Sequence, residues 1–252
     1  MELTPAIPAA TLIVMREVAG APELLMVERA KAMAFAGGMM VFPGGRIDPG
    51  DYALAETLEG HGDLDDAAAR IAAVRETIEE AGLPLGLPAL PSSDRLARLR
   101  AALHAGAPLV DALADVGATL ALDTLVPWAR WRPAHSHARI FDARFYLARL
   151  PEGAPEPTVD ATENTRLIWI SADDALDQAD AGTLSVIFPT RRNLERLARF
   201  ASFDDAAAHA RATPIRAITP WAEQRDGAEH LCIPDDLGYP VTSEPLHSAM
   251  RG

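Results

Sequence analysis

Val41–Phe42–Pro43–Gly44–Gly45 and, further along, Arg75–Glu76–Thr77–Ile78–Glu79–Glu80–Ala81–Gly82–Leu83 are the two runs from which the rest of this chain can be read. The second places three carboxylates close together. With Glu76 at zero on a helical wheel, Glu79 and Glu80 stand at about 300° and 40°, while Ile71, Val74 and Ile78 gather near 160–220°. The spacing predicts a helix ending at Ala81, with Gly82 as its C-terminal stop and Asp63 or Asp65 as its N-cap. Its apolar face would pack on a sheet and its acidic face would line a cleft. Like charges one turn apart repel, and the neighbouring base is Arg75, at about 260°. A hard divalent cation relieves that repulsion, because Mg²⁺ takes oxygen ligands from one or two carboxylates and from substrate phosphates. The plain alternative for so short a motif is a solvated acidic surface.

The two runs together resemble the Nudix box, G-x5-E-x7-R-E-U-x-E-E-x-G-U, with U apolar. Gly45 matches the first glycine. Asp51 stands where the pattern has Glu, and Thr77 stands at an apolar position. The pattern would place its arginine at position 59; here it is Arg75, so 16 extra residues intervene. An insertion inside the box is similar to the Nudix branch that includes the peroxisomal coenzyme A diphosphatases. Further similar segments are Phe42–Arg46, Pro127–Trp131, Phe141–Phe145, Glu163 ahead of Trp169, Ile233–Asp236 and Tyr239–Pro240.

The resemblance implies an α+β fold, a Nudix-type α/β/α sandwich with a mixed sheet, over a single domain spanning 1–252. The box insertion falls at about 52–67 and a helical insert at about 92–122. It also implies Glu76, Glu79 and Glu80 as the ligands of Mg²⁺ or Mn²⁺, with Glu76 a ligand, the general base, or both. Arg75 reads as an orienting partner for a glutamate, and Asp51 as the completion of the loop–helix junction. The base can lie outside the box, where Glu163 and Asp160 are the candidates. The implied activity is hydrolysis of a nucleoside diphosphate linked to a moiety X. Coenzyme A or acyl-coenzyme A is the leading substrate, ADP-ribose or NADH the alternative, and a non-catalytic nucleotide sensor the second alternative.

Composition bounds these readings. The net charge is −13, with 23 basic and 36 acidic residues and a single lysine, Lys31. Such a chain binds nucleic acid poorly. It also repels anionic substrates at long range, so arginine and metal must neutralise a polyphosphate locally. The arginines considered are Arg29, Arg46, Arg130, Arg132, Arg139 and Arg144. Arg29 and Arg46, at strand ends on the cleft side, are the preferred phosphate contacts. Gly44 and Gly45 allow a close backbone approach to a ligand. Cys232 is alone, which excludes an internal disulfide. No apolar run approaches the roughly 18 residues of a membrane span. Glu2 near the start and Met250–Arg251–Gly252 at the end are unlike a secretory signal or a peroxisomal tripeptide, so a cytoplasmic protein is expected.

Periodicity predicts strands at Ala10–Met15, Leu24–Val27, Met39–Phe42, Ile140–Leu147 (with one apolar face) and Leu167–Ile170, with Ile215–Ile218 and His230–Ile233 as final strands at the sheet edge. Helices are predicted at Ala172–Ala181, Thr190–Phe200 and Asp204–Ala212. The stretch 46–62, with Asp48, Asp51 and His61, reads as a polar loop. The helical insert is expected to cover the cleft, to make a homodimer contact, or simply to pack. Trp128 and Trp131 read as core residues before stacking platforms. His135 and His137 read as loop residues.

Overall fold

The computed structural model describes residues 6–33, 35–60, 62–133, 140–160, 162–225 and 227–249. In chain order it contains β1 (Ile7–Val18), β2 (Ala21–Arg29), β3 (Met40–Val41), β4 (Gly44–Arg46), α1 (Pro49–Thr57), α2 (Leu64–Ala81), α3 (Ser93–His104) and α4 (Leu109–Val116). There follow β5 (Val126–Trp131), β6 (Phe141–Arg149), β7 (Asn164–Ile170), α5 (Ala172–Asp180), α6 (Phe188–Leu197) and α7 (Phe203–Ala212). The last elements are β8 (Ala217–Ile218), β9 (Trp221–Arg225), β10 (Ala228–Cys232), β11 (Ser243–Pro245) and α8 (Leu246–Ala249).

β1 and β2 form a tight hairpin, with Val18 opposite Ala21. Ala19 and Gly20 both adopt positive φ, 51° and 81°, the turn twist that suits a two-residue hairpin. The main sheet runs β3-β2-β1-β6-β5-β8, with β4 paired to β1 and β7 to β2. β1 and β6 are parallel, whereas β1–β2 and β5–β6 are antiparallel, so the sheet is mixed. Successive residues of β1 serve opposite faces, as the two-residue strand period requires. Ala10, Leu12 and Val14 join one core with Leu54 of α1, Ile71, Val74 and Ile78 of α2, Leu99 of α3 and Leu113 of α4. Ile13 and Met15 join a second core with Ala175 of α5, Leu194 of α6 and Ala206 of α7. The result is the α/β/α sandwich with a mixed sheet and a helical insert.

Three expectations need correction. Much of 46–62 is helical: α1 starts behind Asp48 with Pro49 in its first turn, the Asp48 amide donates to Asp51 Oδ2 at 2.8 Å, and Leu54 and Ala55 are buried. Local capping and two inward apolar residues outweigh the polar composition. β6 does not have a single apolar face, because Phe145–Ala148 are all buried between two helical layers. Finally, β10 belongs to a separate three-stranded sheet, β11-β10-β9, and only β8 takes the edge of the main sheet. Among the described residues no helix is long and apolar enough to cross a membrane.

Candidate active site

α2 starts at Asp63, whose side chain accepts the Asp65 amide, and ends at Gly82 in the left-handed region (φ 67°). Its last turns carry Glu76, Glu79 and Glu80 beneath the β3–β4 turn. Arg75 is the hub. Its Nε and Nη2 donate to Asp51 Oδ1 and Oδ2 at 3.1 and 2.9 Å, and Nη2 also donates to the Arg46 carbonyl at 2.8 Å. Nη1 donates to Glu76 Oε1 at 2.8 Å and Glu79 Oε1 at 3.4 Å. Burial alone would lower the pKa of this guanidinium. The bond to Asp51 and the charges of Glu76, Asp51 and Glu79 outweigh that and raise it. Arg75 therefore stays charged and orients two glutamates while pinning α1 to α2, which places Asp51 at the loop–helix junction.

Glu76 packs against Gly45. A Cβ at Gly45 would stand 2.3 Å from Glu76 Oε1, a space only glycine leaves. Burial pushes the Glu76 carboxyl up to about 8; Arg75 opposes this, and Glu80 and Glu79 add to it. At Gly44 a Cβ would stand 2.4 Å from the Ala10 carbonyl oxygen, so the β4 backbone must lie directly on β1. That contact aims the Gly44 amide at Glu80 Oε2, 2.9 Å away. The other oxygen of Glu80 accepts from Asn164 Nδ2 at 2.9 Å and lies 3.8 Å from Arg29 Nη1. Burial pushes Glu80 up to about 7 against the bonds from Asn164 and Gly44 and the charge of Arg29. Glu79 is the most accessible of the three, with 24% of its side chain exposed.

Facing the helix, Arg29 at the end of β2 reaches Glu163 at 3.4 Å. Asp160 is a turn former: it accepts from Thr162 Oγ1 (2.6 Å), the Glu163 amide (3.0 Å) and the Asn164 amide (3.1 Å). Burial would raise its pKa, but these bonds hold it below the ordinary carboxylate range. Its carboxylate is thus engaged in shaping the turn, whereas the Glu163 side chain is 57% exposed. Arg46 is exposed on β4, next in the chain to Gly45. Arg130 is committed to Asp142 at 2.7 Å, and Arg144 lies 3.5 and 3.6 Å from Asp66 and Asp63. Arg132 is exposed at the end of β5, and Trp128 and Trp131 are buried in the core. His61, His135, His137 and Arg139 lie outside the described residues.

Among the described residues, no group of three or more His, Cys, Asp and Glu side chains is gathered as a ready-made cation site. The donor set nevertheless fits a hard divalent ion. Glu76 and Glu80 are held away from water with raised pKa values, Glu79 lies beside them, and a cation would stabilise their charged forms. Arg29 Nε and Asn164 Oδ1 are buried without a hydrogen-bond partner, so an unmet donor and an unmet acceptor lie beside Glu80. Asn164 was missed in the sequence because nothing near it in the chain marks it: its partner Glu80 is 84 residues away.

Gly45→Ala is expected to displace Glu76 and lower kcat by about 10- to 100-fold, since an error of about an ångström at a reacting group has that effect. The fold should persist, because the atoms met are the tip of a flexible side chain. Steady-state kinetics and a melting curve check this; unchanged kcat would separate the Glu76–Gly45 contact from the chemistry.

Three carboxylates near the end of one helix, met by Arg75 and Arg29, suit hydrolysis of a phosphoanhydride with the help of a divalent cation. No family model matches the chain. A NUDIX hydrolase from Alicyclobacillus acidocaldarius is 30% identical, covering 82% of this chain and 97% of that one, with a TM-score of 0.69. The chain belongs to the Nudix hydrolases. A putative nudix hydrolase 7 of Caenorhabditis elegans is 27% identical over 90% of this chain and 73% of its own length. The acyl-coenzyme A diphosphatase NUDT19 of Gallus gallus is 24% identical, covering 86% of this chain and 73% of the relative.

Proposed function

We propose that the protein hydrolyses the diphosphate of coenzyme A or an acyl-coenzyme A, giving 3′,5′-ADP and a phosphopantetheine. The observation that carries the chemistry is the cluster of Glu76, Glu79 and Glu80, organised by one arginine and faced by Arg29 and Glu163. The substrate class is supported by the similarity to an acyl-coenzyme A diphosphatase over most of the chain and by the insertion within the box. The two cores share one sheet, which supports a single domain over 1–252.

Glu79 and Glu80, with Glu76, would hold Mg²⁺ or Mn²⁺, which supplies Lewis acidity at the diphosphate when bound. Glu76 would be held as a carboxylate by the bound cation, which favours the charged form, and could then accept a proton from the attacking water. Arg29 and Arg46 neutralise phosphate oxygens, which this acidic chain cannot otherwise attract. Gly44 and Gly45 let the backbone approach the substrate. Glu163, paired with Arg29, is the second proton acceptor within the cleft. Water adds to one phosphorus, the bridging P–O bond breaks, and the released proton passes to a carboxylate.

The test is incubation with coenzyme A, acetyl-coenzyme A, ADP-ribose and NADH, with and without Mg²⁺ or Mn²⁺, and identification of products by mass. Metal-dependent release of 3′,5′-ADP and a phosphopantetheine is expected. AMP from ADP-ribose or NADH alone would overturn the substrate while keeping the reaction class.

A further inference from the structure

We infer that Arg100, on helix α3 of the insert, is a positioning residue for this reaction: it locks the loop that presents Glu163 onto the end of the helix that carries Glu79 and Glu80. The inference rests on the proposed function, and it assigns the insert a part in the chemistry.

The C-terminal turn of a helix leaves carbonyl oxygens without partners inside the helix. In α2 those oxygens belong to the catalytic segment itself. Arg100 Nε donates to the Glu79 carbonyl at 3.0 Å and Nη2 to the Glu80 carbonyl at 3.2 Å. The other side of the same guanidinium holds Thr158: Nη1 donates to its Oγ1 at 2.5 Å and Nη2 to its carbonyl at 2.7 Å. All four bonds end on neutral oxygens, so the guanidinium serves as a two-sided fork. Its positive charge also sits at the negative end of the helix dipole. His104, one turn further along α3, lies 3.0 Å from the Glu79 carbonyl.

Two independent features show that this contact is built in. The Thr158 amide donates to the Ala81 carbonyl at 2.9 Å, so the loop docks on the same helix end by its backbone. Gly82 leaves the required space: a Cβ there would stand 3.0 Å from Arg100 Nη1 and 3.3 Å from Thr158 Oγ1. Two residues beyond Thr158 comes Asp160, whose turn holds the Glu163 and Asn164 amides. Asn164 then returns to Glu80 through its side chain. Arg100 thereby closes a circuit: helix end, Thr158, the Asp160 turn, Glu163 and Asn164, and back to Glu80. Removing it leaves the carboxylates present but takes away the side-chain clamp, so that the Thr158 amide and Asn164 hold the loop to the helix without it.

The experiment compares wild type, Arg100→Ala, Arg100→Lys and Thr158→Val in steady-state kinetics and amide hydrogen exchange. Arg100→Ala is expected to lower kcat by about 10- to 100-fold through misplacement. KM should stay within about threefold, the pattern of an interaction that matters in the transition state. The Thr158 and Glu163 amides should exchange about tenfold faster, while the interior of α2 stays protected. Lysine cannot fork between the two sides, so Arg100→Lys should resemble the alanine variant. Thr158→Val removes one acceptor without touching the insert and should lower kcat by about 2- to 10-fold, which keeps the test open if Arg100→Ala folds poorly. Unchanged exchange at Thr158 and Glu163, or faster exchange with unchanged kcat, would overturn the inference. A wild-type protein that turns over none of the four substrates would overturn the proposed function instead.

Discussion

Glu76→Gln is expected to lower kcat by about 10²- to 10⁴-fold, the usual contribution of a positioned general base, without destabilising the metal-free protein. The stability half follows from burial. Burial against Gly45, with Glu79 and Glu80 nearby, raises the Glu76 carboxyl from the usual 4.5 to about 8. Between those values the folded protein holds a proton that the unfolded chain releases. Metal-free stability therefore falls as pH rises through that window. Glu80, raised to about 7, adds to the same slope over the lower part of the window. Glutamine mimics the neutral form and removes the contribution of Glu76. Melting temperatures in chelator at pH 5 and pH 8 should differ less for Glu76→Gln than for wild type. An equal slope in the two proteins, or full turnover in the variant, would remove Glu76 from the role proposed for it.

Arg75→Met should have the largest effect on stability. Arg75 is 7% exposed and Asp51 2% exposed, and they share a two-bond pair. Methionine keeps an unbranched apolar stem but leaves the Asp51 carboxylate buried and without its arginine. Breaking such a pair from one side costs about 3–5 kcal/mol, measurable as a lower urea midpoint at constant slope. The Arg46 carbonyl and the Glu76 and Glu79 carboxylates lose a donor as well, so activity should fall together with stability. Adding Asp51→Asn to Arg75→Met should restore part of the loss, because it removes the stranded charge. A single variant within about 1 kcal/mol of wild type, the worth of an exposed ion pair, would mean that the pair is not the hub described.

Much of this site was legible along the chain because its signals are local. The capping aspartate, the carboxylate spacing and Gly82 marked the length and end of α2, whereas the two glycines were read for approach to a ligand and their packing on Ala10 and Glu76 came from the fold. The mixed sheet and the inserted helices followed from strand and helix periods together with the box resemblance. The stretch 46–62 was misread because its composition is polar, whereas a cap at Asp48 and the inward Leu54 and Ala55 were enough to make a helix. β6 was misread because alternation reports one covered face, and here both faces are covered.

The chemistry-bearing residue types and their order on α2 were written in the sequence, since helical geometry converts spacing directly into a shared face. What surrounds them was settled only by the tertiary fold. The register of β2 on β7 sets Arg29 opposite Asn164, and that pairing brings both to Glu80 and Glu163 to Arg29, across 134 residues of chain. α3 supplies Arg100 to the helix end in the same way. Such contacts carry no periodic signature, because strand register and helix docking are set by the burial of whole faces.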